Sequence, residues 1–283
     1  MLEIKVFGGL GNQMFQYALY CYLKEKNSDV ILNTYDFSVI EHHQGFELNR
    51  IFGIEGPFNN KKSKWAADTY CFVARVISKI GGIQLKKATE YVEHKEVSFI
   101  PQIKINSDLF LNGYWQDSRY ALAVQEELRK SFLFPRLQDK KNIDLCNSIK
   151  KRESVAIHVR RGDYLGNTGF EGICDEKYYL KAINYFESYI NNPLFVVFSD
   201  DIEWCKKKFA DKEMIYVDWN IDDKSYIDMQ LMTLCKHNII ANSTFSWWGA
   251  FLNSNLDKIV ICPRIWNKKY NINHLMINGW HSI

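Results

Sequence analysis

Two arginines stand side by side where an apolar run ends, in "SVAIHVRRGDY" from Ser154 to Tyr164. A guanidinium is a planar fork of donors that stays charged and matches phosphate oxygens, so such a pair at a strand end points to an anion. Adjacent residues at a strand end face opposite ways. One of Arg160 and Arg161 is therefore expected to reach a ligand, while the other holds the loop through a carboxylate. A purely structural ion pair between an arginine and Asp163 is the competing reading. A second stretch, "IIANSTFSWWGAFL" from Ile239, runs from apolar residues into Asn242, Ser243, Thr244 and Phe245 and then into a helix pattern. Hydroxyls and backbone N–H groups at a helix start form an anion cradle. The third stretch opens the chain: "IKVFGGLGNQMF" reads as strand, glycine turn and helix. Gly9 and Gly11 supply two glycines of a dinucleotide turn, but Met14 stands where the third would be, and no Gly-Lys-Ser/Thr follows. Asn12 in that turn is either an ordinary helix cap or a ligand-facing amide.

Strand and helix patterns alternate along the 283 residues, which favours parallel sheets with crossover helices and leaves room for two medium α/β domains. In such sheets ligands bind beyond the carboxyl ends of the strands, where all three stretches fall. The first half reads as the strand "IKVF", an amphipathic helix from Asn12 to Lys26, the strand "DVILN", a helix from Ala66 to Ile80, a strand near Asp108 and the helix "RYALAVQEELRKSF". Between Pro135 and Lys151 the sequence turns polar and basic, the best place for a junction, with domains at 1–140 and 141–283. The second half is the more strongly written: "SVAIHV", "LFVVFSD", "MIYV", "NIIAN" and "KIVIC" as strands, with helices between them.

Composition excludes several classes. Hydrophobic residues make up 47% and charged residues 24%, so global disorder is ruled against. A net charge of +3 is too mild to imply nucleic acid or membrane binding. The 7 cysteines, Cys71, Cys235 and Cys262 among them, include no C-x-x-C pair and read as buried hydrophobes of a reducing compartment. No signal pattern and no apolar run of membrane-spanning length is present, so a cytoplasmic protein is expected. No D-x-D clamp, H-E-x-x-H or Cys/His cluster occurs, and no metal is expected. Aromatics at 15% hint at carbohydrate, although Trp247 and Trp248 read as core. The sequon Asn242-Ser243-Thr244, at a strand end, reads as accidental.

Taken together and in order, "GGLGNQMFQYA", "HVRRGDY", "FVVFSDD" and "CKHNIIANSTFSWWGAFL" resemble glycosyltransferase family 11, the α-1,2-fucosyltransferases. The resemblance implies a GT-B fold, two Rossmann-like domains facing each other across a cleft, with the glycine turn on the acceptor side and the donor in the second domain. It implies GDP-L-fucose as donor, a galactose-terminated oligosaccharide as acceptor, inversion at the anomeric carbon and no metal or other cofactor. Carried over by position, Arg160 would contact the β-phosphate and the departing oxygen. His158 and Asp228 would meet the guanine or ribose, and Ser243, Thr244 and Phe245 would cradle the diphosphate, with Asp200 and Asn242 in the same nucleotide-sugar set. Gly9, Gly11 and Asn12 would form the facing loop, Asn12 orienting the fucose or the leaving oxygen. Asp163 is either a base or the group that holds the arginines. Two other classes stay open at this point: an oxidoreductase that uses Asp36 on a ribose, and a carbohydrate-binding protein without catalysis.

Overall fold

A computed structural model describes residues 1–26, 29–39, 44–63, 90–93, 99, 109–270 and 272–283. The expected helix from Ala66 to Ile80, and Cys71 within it, lie outside the described residues. The chain divides into two compact units, Met1–Phe132 and Leu133–Ile283.

The N-terminal unit is built on a parallel sheet of β1 (Leu2–Lys5), β2 (Val30–Asn33), β3 (Phe58–Asn59), β4 (Glu90–Val92) and β5 (Leu109–Asn112), in the order β3-β2-β1-β5-β4. The order reverses between β1 and β5, so the residues after those two strands mark this unit's ligand position. Between the strands run α1 (Leu10–Lys24), α2 (Asp36–Val39) and α3 (Glu47–Phe52), and after β5 come α4 (Ser118–Ala123) and α5 (Gln125–Ser131). Helix α1 starts two residues before its expected first residue and is not amphipathic. Every residue from Gly11 to Leu23 except Asn12 is buried, including the polar Gln13 and Gln16. The expected single helix after β5 is two, parted at Val124, whose φ of −120° and ψ of 28° leave the helical region.

The C-terminal unit holds α6 (Lys140–Lys151), β6 (Ser154–Val159), α7 (Glu176–Tyr189), β7 (Leu194–Ser199), α8 (Ile202–Lys208), β8 (Met214–Val217), α9 (Tyr226–Leu234), β9 (His237–Ile239), α10 (Thr244–Leu252), β10 (Val260–Cys262) and β11 (His281–Ser282). The polar run expected as a junction is therefore a connector only before Lys140. Asp139 then accepts from the Asn142 N–H at 2.9 Å and caps an amphipathic helix whose Leu145 and Ile149 are buried. Asp175 and Asp201 cap α7 and α8 in the same way, at 2.9 and 3.2 Å. The sheet is wholly parallel in the order β11-β10-β9-β6-β7-β8, a doubly wound topology with its reversal between β6 and β9. Both faces of the central strands are covered, which is why they read as continuous apolar runs. Val155, Ile157 and Val159 pack on Tyr179, Ile183 and Phe186 of α7. Ala156, Val196 and Phe198 pack on α6 and α9 through Ile149, Leu231 and Met232. Trp247 and Trp248 are fully buried, as expected of core residues. Among the described residues no helix is long and apolar enough to cross a membrane.

Candidate functional site

In the C-terminal unit the register of the strands lines up the expected residues. Ile157 is paired with Ile239 and Val159 with Ser199. Continued past the strand ends, this sets Arg160 level with Asn242 on one side and Asp200 on the other. The two arginines then part, because the strand alternation persists. Arg161 turns to the α8 face: its Nε lies 2.9 Å from Asp201, and its guanidinium sits over Trp204 at 4.3 Å. This is the loop-holding role expected of one member of the pair. Arg160 contacts Asp163 at 2.8 Å through Nη2 and Asp200 at 3.3 Å through Nη1, and its Nε donates to Asp163 at 2.9 Å. These contacts leave one N–H on each Nη for a ligand.

Asp200 is tied to the loop by both oxygens, since Oδ1 also accepts the Arg161 N–H at 2.8 Å. A Cβ at position 162 would lie 2.7 Å from its Oδ2, so glycine is what allows this approach. His158 turns to the α10 face, its ring 5.5 Å from that of Phe245. Burial, and then the positive charge of Arg160, push its pKa down to about 3, so the ring is neutral. Its Nδ1 is buried without a hydrogen-bond partner among the described residues. Asp228 opens α9, accepts from Asn220 Nδ2 at 2.8 Å, and is raised by burial to a pKa of about 7. Asn220 in turn is bonded to Asn142, which also accepts from the Trp219 indole at 2.9 Å.

On the β9 side, Asn242 is buried and donates to the Trp266 carbonyl at 3.1 Å, which removes the sequon from any modifying enzyme. Its own carbonyl accepts from the Tyr164 hydroxyl at 2.9 Å, so the arginine loop is fastened to the β9–α10 turn. Ser243 is the N-cap of α10, yet its side chain makes no capping bond. A helix N-terminus with this residue at its mouth favours an anion. Tyr164, Asp201 and Asn220 were not singled out as site residues; the adjacency of Asp201 to Asp200, and of Tyr164 to Asp163, was the available signal.

The reversal point of the N-terminal unit is built from amides instead. Gly8 takes φ +79°, and a Cβ there would meet Asn12 Nδ2 at 2.8 Å. Gly9 is the cap residue, and Asn12, one turn in, accepts from Gln116 Nε2 at 2.8 Å. Asn12 is thus not the helix cap. Gln13 donates to the carbonyls of Gly8 and Gly45 and accepts the Glu47 N–H. Gln16 accepts from the Phe7 N–H and donates to the Gly113 carbonyl, both at 3.1 Å, and so joins the ends of β1 and β5. Trp115 beyond β5 is fully buried at φ 55°, an uncommon conformation for a bulky residue. Glu93 accepts the N–H groups of Tyr114 and Trp115 at 2.6 and 3.0 Å. Asp36, the alternative ribose ligand, is paired with Lys5 at 2.8 Å.

Comparison with known proteins decides among the classes left open. The model of glycosyl transferase family 11 matches residues 84–282. An Escherichia coli alpha-1,2-colitosyltransferase is 35% identical over 281 residues, 95% of this chain and 93% of that protein. The chain belongs to glycosyltransferase family 11. A second Escherichia coli relative, the O-antigen biosynthesis glycosyltransferase WbnK, is 36% identical over 98% of each chain. The crystal structure of the fucosyltransferase NodZ from Bradyrhizobium matches with a TM-score of 0.51 at 11% identity, covering 88% of this chain and 92% of that one. At that identity the likeness is one of fold. Membership of the family sets aside the oxidoreductase and the non-catalytic binding protein.

Proposed function

We propose that this family 11 member transfers L-fucose from GDP-L-fucose to the 2-hydroxyl of a terminal galactose on a glycan, with inversion and without a metal. The observation that carries the reading is Arg160 at the reversal point, level with the Asn242–Ser243 turn that opens α10. Transfer breaks the bond between the anomeric carbon and the diphosphate while a hydroxyl attacks the opposite face. Negative charge grows on the departing GDP. The free N–H groups of Arg160 and the start of α10 with the Ser243 and Thr244 hydroxyls are fixed before that charge arrives, and such preorganised donors are the usual source of rate. Phe245 and the neutral His158 ring form an apolar wall beside them, and Asp228, with Asn220 behind it, is assigned to the guanine edge. Asp163 is assigned to holding Arg160, which its paired geometry favours over a free base.

The amide-built turn of the N-terminal unit is assigned to the sugar hydroxyls, with Asn12 held by Gln116. A 6-deoxyhexose that lacks one hydroxyl, colitose, is the second donor to consider, because a relative covering nearly the whole chain is a colitosyltransferase. The O-antigen relative supports a surface-polysaccharide repeat unit as acceptor. The test is a panel of GDP-L-fucose and GDP-colitose against galactose-terminated saccharides, read by mass spectrometry and linkage analysis. A 2-linked 6-deoxyhexose formed equally well with and without EDTA is expected. No transfer from either donor overturns the reading, and a strict need for added magnesium overturns its metal-free part.

A further inference from the structure

We propose that Asn142 and Asn220 are positioning residues for base specificity: as a pair they fix the hydrogen-bonding polarity that Asp228 presents to a nucleotide. The inference rests on the assignment of Asp228 to the guanine edge above. Asn142 lies in the first turn of α6 and Asn220 in the loop between β8 and α9, and both are buried, at 0% and 8% exposure. Their amides face each other head to tail. Asn142 Nδ2 donates to Asn220 Oδ1 at 2.7 Å, and Asn220 Nδ2 donates to Asn142 Oδ1 at 3.0 Å. The second N–H of Asn220 points at Asp228 Oδ1, 2.8 Å away. The chain of amides ends there. Asp228 accepts no other hydrogen bond among the described residues, and its Oδ2 is not sealed from solvent.

A buried amide can usually be turned over with little change of shape, which exchanges its donor and its acceptor. Here the far end of the chain forbids it. Asn142 Nδ2 also donates to Asp139 Oδ2 at 2.5 Å, and Asn142 Oδ1 also accepts from the Trp219 indole at 2.9 Å. A carboxylate only accepts and an indole N–H only donates. Turning Asn142 would set oxygen against oxygen and N–H against N–H, and turning Asn220 alone would do the same within the pair. Asp228 Oδ1 is therefore obliged to accept, with Oδ2 left open. The pair carries no charge, so it orients the carboxylate without neutralising it, as an arginine would. That polarity suits one base edge. Guanine offers two adjacent donors, N1–H and its 2-amino group, whereas hypoxanthine offers N1–H alone and adenine turns the acceptor N1 toward the site. A fixed acceptor rejects the adenine edge, because two acceptors would face each other without a proton between them.

The experiment is calorimetry of GDP, GMP, IDP and ADP on the parent protein and on Asn142→Ala, Asn220→Ala and Gln230→Ala, each first shown by circular dichroism to be folded. Gln230 lies in α9 like Asp228 and donates to the Pro135 carbonyl at 2.8 Å, outside the chain of amides, so it reports the loss of a merely structural tie. The parent is expected to bind GDP about tenfold more tightly than IDP and about a hundredfold more tightly than ADP, the worth of one and of two hydrogen bonds to a carboxylate. In Asn142→Ala and Asn220→Ala the GDP-over-IDP ratio should fall to about two or three, a loss of most of one such bond. The GDP-over-GMP ratio, which reports the phosphate end, should stay at the parent's value. Gln230→Ala should lower Tm and move neither ratio. Base ratios equal to the parent's in either asparagine variant overturn the proposal, and Asn220→Ala carries the test alone if Asn142→Ala does not fold. A parent that binds ADP as tightly as GDP overturns the guanine assignment as well, whereas a parent that prefers GDP beside unchanged variants leaves that assignment standing.

Discussion

The two reversal points solve one topological problem with opposite chemistry. Both units place a central strand, β1 or β6, beside the strand at which the order turns back. At the end of β6 the groups are ionic: two arginines and three aspartates, arranged so that each arginine lies within 4 Å of a carboxylate. At the end of β1 they are mostly amides: Gln13 and Gln16 bond to backbone groups of the surrounding loops and Gln116 to Asn12, with the Lys5–Asp36 pair closed on itself beside them. A charged end presents fixed donors to a ligand that carries charge through its reaction. An amide-built end can recognise hydroxyls without perturbing them. The contrast also separates what each end does for its own unit. Gln13 and Gln16 are fully buried and hold the loops in place, whereas the guanidinium of Arg160 is about a third exposed and keeps donors to spare.

The largest effect is expected where charge is transferred. Arg160→Ala should lower kcat by roughly a hundredfold or more at retained fold, the cost of one preorganised donor to a developing anion. Arg160→Lys should recover little, because a point ammonium cannot fork onto two oxygens. Near-normal turnover of GDP-L-fucose by a folded Arg160→Ala would remove the chemical half of the contrast.

Gln16→Ala tests the amide half. It leaves the Phe7 N–H and the Gly113 carbonyl without their partner in a buried site, at about 1–3 kcal/mol for each. The unit should lose several kcal/mol in urea unfolding, and Gln16→Glu should restore the acceptor to Phe7 but not the donor to Gly113. A stability change below about 1 kcal/mol would show that water or another group substitutes easily. Arg161→Lys is expected to be milder, about 1 kcal/mol in stability through loss of the stacked Trp204 contact and the Nε bond, read by thermal denaturation.

How legible this was differs between the units for physical reasons. The central C-terminal strands are buried on both faces, so run length and turn chemistry place the strands of this unit to within three residues, the largest error being the end of β9, expected at Asn242 and found at Ile239. Strand alternation alone separates the directions of Arg160 and Arg161 and calls for a carboxylate to hold one of them, but it does not say that this carboxylate is Asp201. In the N-terminal unit the same method places α1 to within two residues but misreads it as amphipathic. A helix buried all round has no polar face to show its period, and Gln13 and Gln16 look like surface residues until their five partners are in view. Strands of two residues, Phe58–Asn59 and His281–Ser282, carry too short a pattern to be read at all. Asn220 and Tyr164 act through contacts far along the chain, to Asn142 and Asn242, and spacing does not encode such contacts. The cap reading of Asn12 fails for a local reason: glycine at the cap position leaves the asparagine side chain to Gln116.

The smallest effect separates two buried carboxyls. Glu47 in the N-terminal unit is raised by burial but has Arg50 at 2.8 Å to oppose the shift, whereas Asp228 has only the Asn220 amide and rises to about 7. An aspartate of the unfolded chain titrates near 3.9. Between about pH 4 and pH 7 the folded protein therefore binds more protons at Asp228 than the unfolded chain does. Stability then falls as pH rises through that window, and the full penalty stands above it. Asp228→Asn keeps the shape and removes the ionisation, so it should raise Tm at pH 8 relative to the parent and leave the two nearly equal at pH 4. If Asp228 reads the guanine edge as a carboxylate, the same variant should weaken GDP binding more at pH 8 than at pH 5, measured by calorimetry. A Tm profile parallel to that of the parent would show that the carboxyl is solvated in the folded protein. A GDP affinity unchanged at pH 8 would instead leave the burial intact and move the guanine contact elsewhere, so the two measurements separate the physical claim from the functional one.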